Sequence, residues 1–406
     1  MERTLRVTID RNTWPKPPAL PAFPAAFNPT MDNWDVSVPA LLLTIGYLTT
    51  PSHASGVSLS EFWAWVRYLH AVSGSPELLL TRAFHELDAH QKTILSDDFG
   101  MGAPIAWLIE KLNLTHVADG RYFIQRMATQ VGVQPTTPKK RGPGKSPDFV
   151  ARDASGVWHV LECKGTQTSG AYRAHQLGSG GRTPTGAVAQ KRTIVFPHGY
   201  TGQRLASGLF IGVENGGVQS SLHLIDPEPE EPFEVRADDM VFADDAIARA
   251  ATARALRLAG FPQASSAVSA PTGVSPASRP TVGRHETDRL ATVEEKRDRA
   301  EYELKHRGDR DRFIAEGEYY RGRKVEISLP TPLNVGHRTV SSLIVRYGVG
   351  TSFLDQLREF PLTDDPIQER ITALDELQKR TTLAGDKTGA RLQIGTSFVA
   401  DISFRN

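Results

Sequence analysis

The sequence predicts an α/β protein, and three observations between positions 96 and 215 support this class. Two short runs rich in β-branched and aromatic residues flank the turn signal DASG at positions 153–156, which predicts a β-hairpin. A helical pattern precedes this hairpin within Ser96 to Leu112, and Ala206 to Glu214 has the composition of a buried strand. The order of helix, hairpin, helix and strand indicates an α/β core.

Residues 1–95 are expected to form an extended and helical N-terminal region that packs on this core. The first 35 residues are rich in proline and are predicted to be extended chain. Helical periodicity follows at 60–72 and again at 75–91. The second of these segments begins with a serine cap and a proline at the first helical position.

Residues 96–225 are predicted to form the core. Pro104 leaves two alternatives for its first helix, which either begins near Gly102 or is bent at the proline. The segment 115–134 is expected to be one helix or one strand, and 135–146 is a basic loop rich in glycine and proline. A glycine-rich stretch after the hairpin is predicted to end in a helix at 185–192.

The rest of the chain divides into a linker region at 226–285 and a smaller α+β module at 286–406. The linker region combines an alanine-rich helix at 244–259 with a low-complexity stretch at 263–282, which is too polar and too broken to be expected to pack. We expect the C-terminal module to act in sensing, oligomerisation or partner binding. Its predicted elements are a charged helix at 286–305, a helix at 366–380 and strands at 316–329, 340–347 and 392–404.

Composition excludes several classes of protein. The 406 residues carry a formal net charge of +1, so any surface for nucleic acid must be local. Cys163 is the single cysteine, which excludes a disulfide scaffold and fits a reducing cytoplasm. The most apolar window, 36–48, is too short to span a bilayer and the N-terminus has no secretory pattern, so we expect a cytoplasmic protein that does not bind membranes.

The predicted hairpin gathers charged residues on one face. Side chains alternate along a strand, so Glu162 and Lys164 point the same way, towards the strand that begins after Asp148. Carboxylates are the ligands that hard divalent cations prefer, and an ammonium group attracts phosphate. The hairpin therefore predicts a site for a divalent cation and a phosphodiester.

The spacing of Pro147-Asp148 and Glu162-Cys163-Lys164 resembles the PD-(D/E)xK nuclease superfamily. This resemblance covers roughly residues 96–215 and implies a restriction-endonuclease-like core, which is a mixed sheet flanked by helices. It implies catalytic roles for Asp148, Glu162 and Lys164, with Mg²⁺ or Mn²⁺ held by the two carboxylates and the backbone carbonyl of Cys163. Lys164 would orient or help to deprotonate the attacking water and neutralise developing charge.

Members of the superfamily often place one more acid on the helix before the hairpin. Asp98, together with Asp97, is the first candidate for this metal ligand, because SDDFGMG at 96–102 looks like the entry of that helix. The alternative is that either aspartate only caps a helix. Glu110 is the second candidate, and its alternative is a residue on a solvated helix face.

The basic residues around the hairpin predict a nucleic-acid surface. The segment 139–192 has ten Lys or Arg residues but only three acids, and phosphate neutralisation dominates affinity for nucleic acid. A solvated basic loop is the alternative. The resemblance adds a Gln or Lys on the helix after the Glu-x-Lys strand. The residues expected to bind nucleic acid are Lys139, Lys140, Arg141, Lys145, Arg173, Gln190 and Lys191.

The leading hypothesis is a Mg²⁺- or Mn²⁺-dependent endonuclease, with DNA favoured over RNA as substrate. Family analogy alone adds a role as a bacterial defence or mobile-element effector, working as a homo-oligomer or with a partner protein. The second hypothesis is a non-cleaving subunit that binds nucleic acid or assembles a complex. The intact set of Asp148, Glu162 and Lys164 argues against it. A third is that the motif is accidental and the protein is a scaffold.

Overall fold

The protein is built around two sheets, which the computed structural model describes together with their flanking helices. The residues described are 1–52, 68–131, 146–178, 187, 194–226, 233–269, 284–306, 312–335, 338–359, 376–386 and 388–405. Their strands are β1 (Glu2–Ile9), β2 (Met31–Ser37), β3 (Leu114–Asp119), β4 (Phe149–Asp153), β5 (Trp158–Thr166), β6 (Ile194–Val195), β7 (Thr201–Phe210), β8 (Ser221–Ile225), β9 (Phe233–Glu234), β10 (Arg312–Ala315), β11 (Glu318–Val335), β12 (Arg338–Gly350), β13 (Thr381–Gly385), β14 (Gly389–Ile394) and β15 (Phe398–Arg405). Their α-helices are α1 (Val38–Thr49), α2 (Arg82–His85), α3 (Ala89–Leu112), α4 (Gly120–Gln130), α5 (Gly170–Leu177), α6 (Met240–Leu258), α7 (Pro262–Ser269), α8 (Arg284–His306) and α9 (Thr351–Glu359).

The first sheet has seven strands in the order β2-β1-β8-β7-β5-β4-β3. Strands β3, β4 and β5 are antiparallel neighbours, whereas β7 pairs parallel to β5. A parallel pair needs a crossover connection, and α5 lies in the segment that makes it. Helix α3 packs against β5 and β7. The expectation of an α/β fold with a mixed sheet and flanking helices is therefore confirmed.

The N-terminal segment contributes to this sheet directly. Strand β1 pairs with β2 on one side and runs parallel to β8 on the other. Leu5, Val7 and Ile9 alternate along β1 and are buried. This two-residue period predicts a strand, but the many prolines between positions 15 and 29 led to an expectation of extended chain lying on the core.

The predicted helix at 75–91 is wrong over most of its length. Residues 76–80 are extended, and only the single turn α2 and the start of α3 are helical. The Leu78 amide donates to Thr4 O at 3.0 Å and the Leu80 amide to Gly212 O at 2.9 Å. Leu78 and Leu80 are also both buried. Pairing with neighbouring chain therefore overrides the local capping signal. The other predicted N-terminal helix, at 60–72, lies mostly outside the described residues.

Helix α3 is longer than either of the two alternatives that the sequence left open. It runs for 24 residues and contains Pro104 in its interior, so it begins well before Gly102. Asp97 and Asp98 therefore lie inside the helix and do not cap it. The ambiguous segment 115–134 contains both β3 and α4. The predicted strand at 206–214 is β7, which begins and ends earlier, and the predicted helix at 185–192 lies outside the described residues except for Ala187.

Helix α7 corrects the expectation that 263–282 is too broken to pack. Ala264, Ala267 and Val268 are buried, and α7 packs between α6 and α8. The Ser265 hydroxyl donates to Ala253 O at 2.7 Å, and the Ala264 amide donates to Glu303 Oε2 at 2.8 Å. Small residues allow this close helix packing, and the composition alone resembles that of a linker. The predicted helices at 244–259 and 286–305 are present as α6 and α8.

The second sheet has six strands in the order β10-β11-β12-β15-β14-β13, and β6 and β9 form a small separate pair. The predicted strand at 392–404 is in fact two strands, β14 and β15, which reverse at Gly395 with φ +50°. The predicted helix at 366–380 lies outside the described residues up to position 375. The two large sheets share one hydrophobic cluster, and the Thr381 hydroxyl donates to Thr115 O at 3.1 Å between them.

In the described part of the chain, no helix is both long and apolar enough to cross a membrane.

Candidate active site

The site is built on the β4–β5 hairpin, whose turn is fixed by one side chain. Asp153 Oδ1 accepts hydrogen bonds from the Ser155 amide at 2.8 Å and the Val157 amide at 3.0 Å. Gly156 has φ +83°, a conformation that side chains disfavour. This turn sets the antiparallel register in which Val150 lies opposite Val160 and Phe149 opposite Leu161.

The same register brings Asp148 beside Glu162. Glu162 Oε2 accepts a hydrogen bond from the Asp148 amide at 3.0 Å. In return, Asp148 Oδ2 accepts one from the Cys163 amide at 2.8 Å. The two carboxylates are thus each held by the backbone of the other strand.

Lys164 completes the group, as its spacing from Glu162 predicted. Its ammonium donates to Glu162 Oε1 at 2.5 Å. The Glu162 side chain is 0% exposed and that of Lys164 is 25% exposed, so the lysine lies at the mouth of the site and the glutamate at its base.

The electrostatics show an excess of negative charge. Burial, followed by the repulsion of Asp148, raises the pKa of Glu162 to about 8. Burial also raises the pKa of Asp148. Burial alone would lower the pKa of Lys164, but the attraction of Glu162 and Asp148 outweighs it and raises this pKa. One ammonium does not balance two buried carboxylates, so the site favours a further cation.

A close contact of α3 with β5 brings the helix to the site. A Cβ atom on Gly165 would lie 1.7 Å from Ser96 O, and one on Gly100 would lie 2.6 Å from Gly165 N. Gln167 Nε2 also donates to Lys92 O and to Ser96 Oγ, both at 2.9 Å. Only glycine at both positions allows this approach.

Asp97 is an acid on α3 whose charge reaches the site. Burial raises its pKa, and its charge interacts with Lys164 and Asp148. The Asp98 carboxylate accepts a hydrogen bond from the Tyr68 hydroxyl, and its role as a metal ligand stays a prediction. Successive helical residues point about 100° apart, so the two aspartates face different neighbours. Glu110 forms an ion pair with Lys111 at 3.2 Å and accepts a hydrogen bond from Trp34 Nε1. It is therefore a residue on a solvated helix face, which was the alternative to a metal role.

The donor set fits a magnesium-like cation. Mg²⁺ is usually bound by one or two carboxylates, with substrate phosphates and water completing its coordination. Asp148 and Glu162 supply two hard oxygen donors, although no cluster of three or more His, Cys, Asp or Glu residues is found among the described positions. Burial raises the pKa of the Cys163 thiol. Its backbone carbonyl stays a predicted ligand.

Most of the residues predicted to bind nucleic acid lie outside the described chain. These are Lys139, Lys140, Arg141, Lys145, Gln190 and Lys191. Arg173 is described, and it lies on α5 with Nη1 donating to the carbonyl oxygen of Ser221 at 3.1 Å and to its hydroxyl at 2.6 Å. It is thus the only one of the seven predicted residues whose position is described.

Sequence reasoning missed the residues that seat α3 on the hairpin. Gly100, Gly165 and Gln167 had no local signal for this role, because the contact joins segments far apart in sequence. Tyr68, which engages Asp98, was equally invisible. Comparisons of the chain with protein-family models, curated proteins and solved structures found no match in any of the three. Function is therefore argued from the site alone.

Proposed function

We propose that this protein is a metal-dependent nuclease that hydrolyses phosphodiester bonds, with DNA as the favoured substrate. The observation that carries the proposal is the convergence of Asp148, Glu162 and Lys164, joined through hydrogen bonds of 2.5–3.0 Å. Two carboxylates beside an ammonium provide cation ligands and a phosphate contact in one place.

The topology around the site supports the same proposal. After α3 come β3, helix α4, the antiparallel hairpin of β4 and β5, helix α5, the short strand β6 and then β7, which runs parallel to β5. The first helix, the hairpin, the following helix and the last strand keep the order that the resemblance to PD-(D/E)xK nucleases implies, with β3 and α4 inserted before the hairpin. Asp148 lies immediately before β4 and Glu162 lies in the middle of β5, so the acidic pair is on the two arms of the hairpin, where the resemblance places it.

The chain's own residues divide the chemistry between them. Asp148 and Glu162 would hold Mg²⁺ or Mn²⁺, which when bound neutralises the cleaved phosphate and lowers the pKa of a coordinated water. Lys164 would orient the water and stabilise negative charge on the phosphate. To do so, its ammonium must leave Glu162 Oε1 for the phosphate.

A non-cleaving nucleic-acid-binding subunit is the second candidate. The observation that favours it is that no group of three or more His, Cys, Asp or Glu residues that could hold a metal ion is found among the described residues. Both oxygens of Glu162 are also engaged within the protein. The two candidates differ in whether the bound nucleic acid is cut.

A cleavage assay separates the candidates. Plasmid DNA, linear DNA and RNA are incubated with the protein in Mg²⁺, Mn²⁺ or EDTA. We expect metal-dependent cutting that is lost in D148A, E162A and K164A and retained in E110A, whose glutamate is exposed on the same helix as Asp97. Binding without cutting in every condition would support the second candidate. Cutting that persists in all three site variants would refute the proposed site.

A further inference from the structure

A second group of polar atoms shares the sheet face of the candidate active site. Lys164 on β5 pairs with Gly208 on β7, and Gly208 pairs with His223 on β8. Paired residues on neighbouring strands point to the same face, with strands about 4.8 Å apart. His223 therefore lies on the face that bears Lys164, two strand positions away.

Arg173 covers the position between them. A Cβ atom on Gly208 would lie 2.8 Å from Arg173 Cγ and 3.1 Å from Leu177, so the absence of a side chain lets Arg173 lie flat over β7. Its Nη1 is anchored by the carbonyl and hydroxyl oxygens of Ser221 on β8. The guanidinium is thus held over β7 and β8, near His223.

Two nitrogen atoms in this group have no partner. Arg173 Nε and His223 Nε2 are both buried and make no hydrogen bond within the part of the chain that the structure describes. Because the contact with Ser221 uses Nη1, it leaves the edge formed by Nε and Nη2 of Arg173 unused. In arginine, this edge can bind a phosphate or a carboxylate through two parallel hydrogen bonds. Buried polar groups without a partner are rare and indicate a missing ligand or water.

Charged groups of both signs lie near the pair. The guanidinium of Arg173 and the carboxylate of Asp10 interact electrostatically with His223, with opposite effects on its charged form. Asp10 Oδ1 accepts a hydrogen bond from the backbone amide of Asn12. Arg173 and Asp10 offset each other and Lys164 is bound to Glu162, so the case for an anion rests on the unpartnered nitrogens of the pair.

We propose that Arg173 and His223 form a subsite for the phosphate group next to the one that is cleaved. This inference rests on the proposed nuclease function and adds to it a direction, across β7 towards β8, for the bound strand. Arg173 would contact the phosphate through Nε and Nη2, and His223 would donate from Nε2.

Binding by a cleavage-deficient protein tests the subsite. In an E162Q background, binding of a labelled DNA oligonucleotide is measured by fluorescence polarisation over a series of salt concentrations, without divalent metal. We expect R173A to weaken binding about tenfold and to reduce the slope of log K against log salt by about one, the change for one lost phosphate contact. H223A should weaken binding several-fold, and H223Q, which keeps a donor, should weaken it less.

Two further variants distinguish binding from structure. G208A keeps every charge but displaces Arg173, so it should weaken binding as R173A does. H175A removes an exposed histidine on the same helix, which stacks on Tyr172, and should bind like its parent. Thermal midpoints are recorded for each protein. A loss of affinity without a change in salt slope would mark Arg173 as structural and overturn the proposal.

The failure of the subsite can be told apart from the failure of the nuclease. If the wild-type protein cuts nucleic acid but R173A and H223A bind with parental affinity, the subsite is refuted and the nuclease stands. If the wild-type protein neither cuts nor binds nucleic acid, both are refuted. Equal weakening in R173A, H223A and H175A would also overturn the subsite, because the effect would not be local to the pair.

Discussion

The Lys164 ammonium is bound to Glu162 Oε1 at 2.5 Å, one of the two carboxylate oxygens through which Glu162 would hold a metal ion. Lys164 is therefore the cation that compensates Glu162 in the metal-free protein. This relationship couples three properties that can be measured separately, namely stability, metal affinity and catalysis.

The metal-free protein should lose stability as the pH rises from about 4.5 to about 8. The pKa of Glu162 is raised from its ordinary value of 4.5 to about 8, so ionisation in this window costs the folded state more than the unfolded state. The stabilisation that protonated Glu162 provides is fully present below pH 4.5 and is lost as the pH rises through about 8. Thermal unfolding in EDTA should show this fall, and E162Q should remove most of it. A fall of the same size in E162Q would assign it to other groups.

Magnesium should stabilise the protein more at pH 8 than at pH 5. Metal binding requires ionised carboxylates, and both Glu162 and Asp148 have raised pKa values. The measurement is the shift of the thermal midpoint between EDTA and excess Mg²⁺ at each pH, with D148A as the variant that should show little shift. An equal shift at both pH values would contradict metal binding at this pair.

Replacing Lys164 by alanine should abolish cleavage but leave metal binding as tight or tighter. The variant loses a preorganised charge that stabilises the transition state, a loss that typically costs about 10²–10³ in rate. It also frees Glu162 Oε1, for which the ammonium competes with the metal. Isothermal titration with Mn²⁺ checks the affinity. A metal affinity tenfold weaker than that of the wild type would show that Lys164 does not compete.

Placing an alanine at Gly165 should destabilise the protein and reduce activity. The new Cβ atom would lie 1.7 Å from Ser96 O on α3, which must move away and carry Asp97 with it. Overpacking of this kind costs about 1–3 kcal/mol or more in the free energy of unfolding. G170A is the matched control, because nothing lies within 4 Å of the added atom. Chemical denaturation compares the two, and equal stabilities would refute the close contact.

The part of the site that could be predicted from sequence is the part that is local. Asp148, Glu162 and Lys164 lie on adjacent strands of one hairpin, so alternation and a turn signal were enough to bring them together. The acid on the preceding helix was harder to predict, because the direction in which Asp97 and Asp98 point depends on how α3 rotates against β5. That rotation is fixed by Gly100 and Gly165, which are 65 positions apart.

The same distinction holds for the fold. Helices α6 and α8 have strong periodic patterns of their own and were predicted correctly. The segment 76–80 carries a helix-start signal but is extended, because its backbone pairs with chain near Thr4 and Gly212. Helix α7 was taken for a linker because its burial depends on α6 and α8. Tertiary contacts decide such segments, and one sequence does not reveal them.

The most direct test of the central claim is the initial rate at which supercoiled plasmid is cut by the wild-type protein and by E162Q in Mg²⁺. E162Q preserves the shape of the buried side chain and removes its charge. The account predicts metal-dependent cutting by the wild type, a loss of at least a hundredfold in E162Q, and wild-type rates in E110Q. Cutting by E162Q at the wild-type rate, or equal cutting by the wild type in EDTA, would contradict the assignment of Glu162 to the metal.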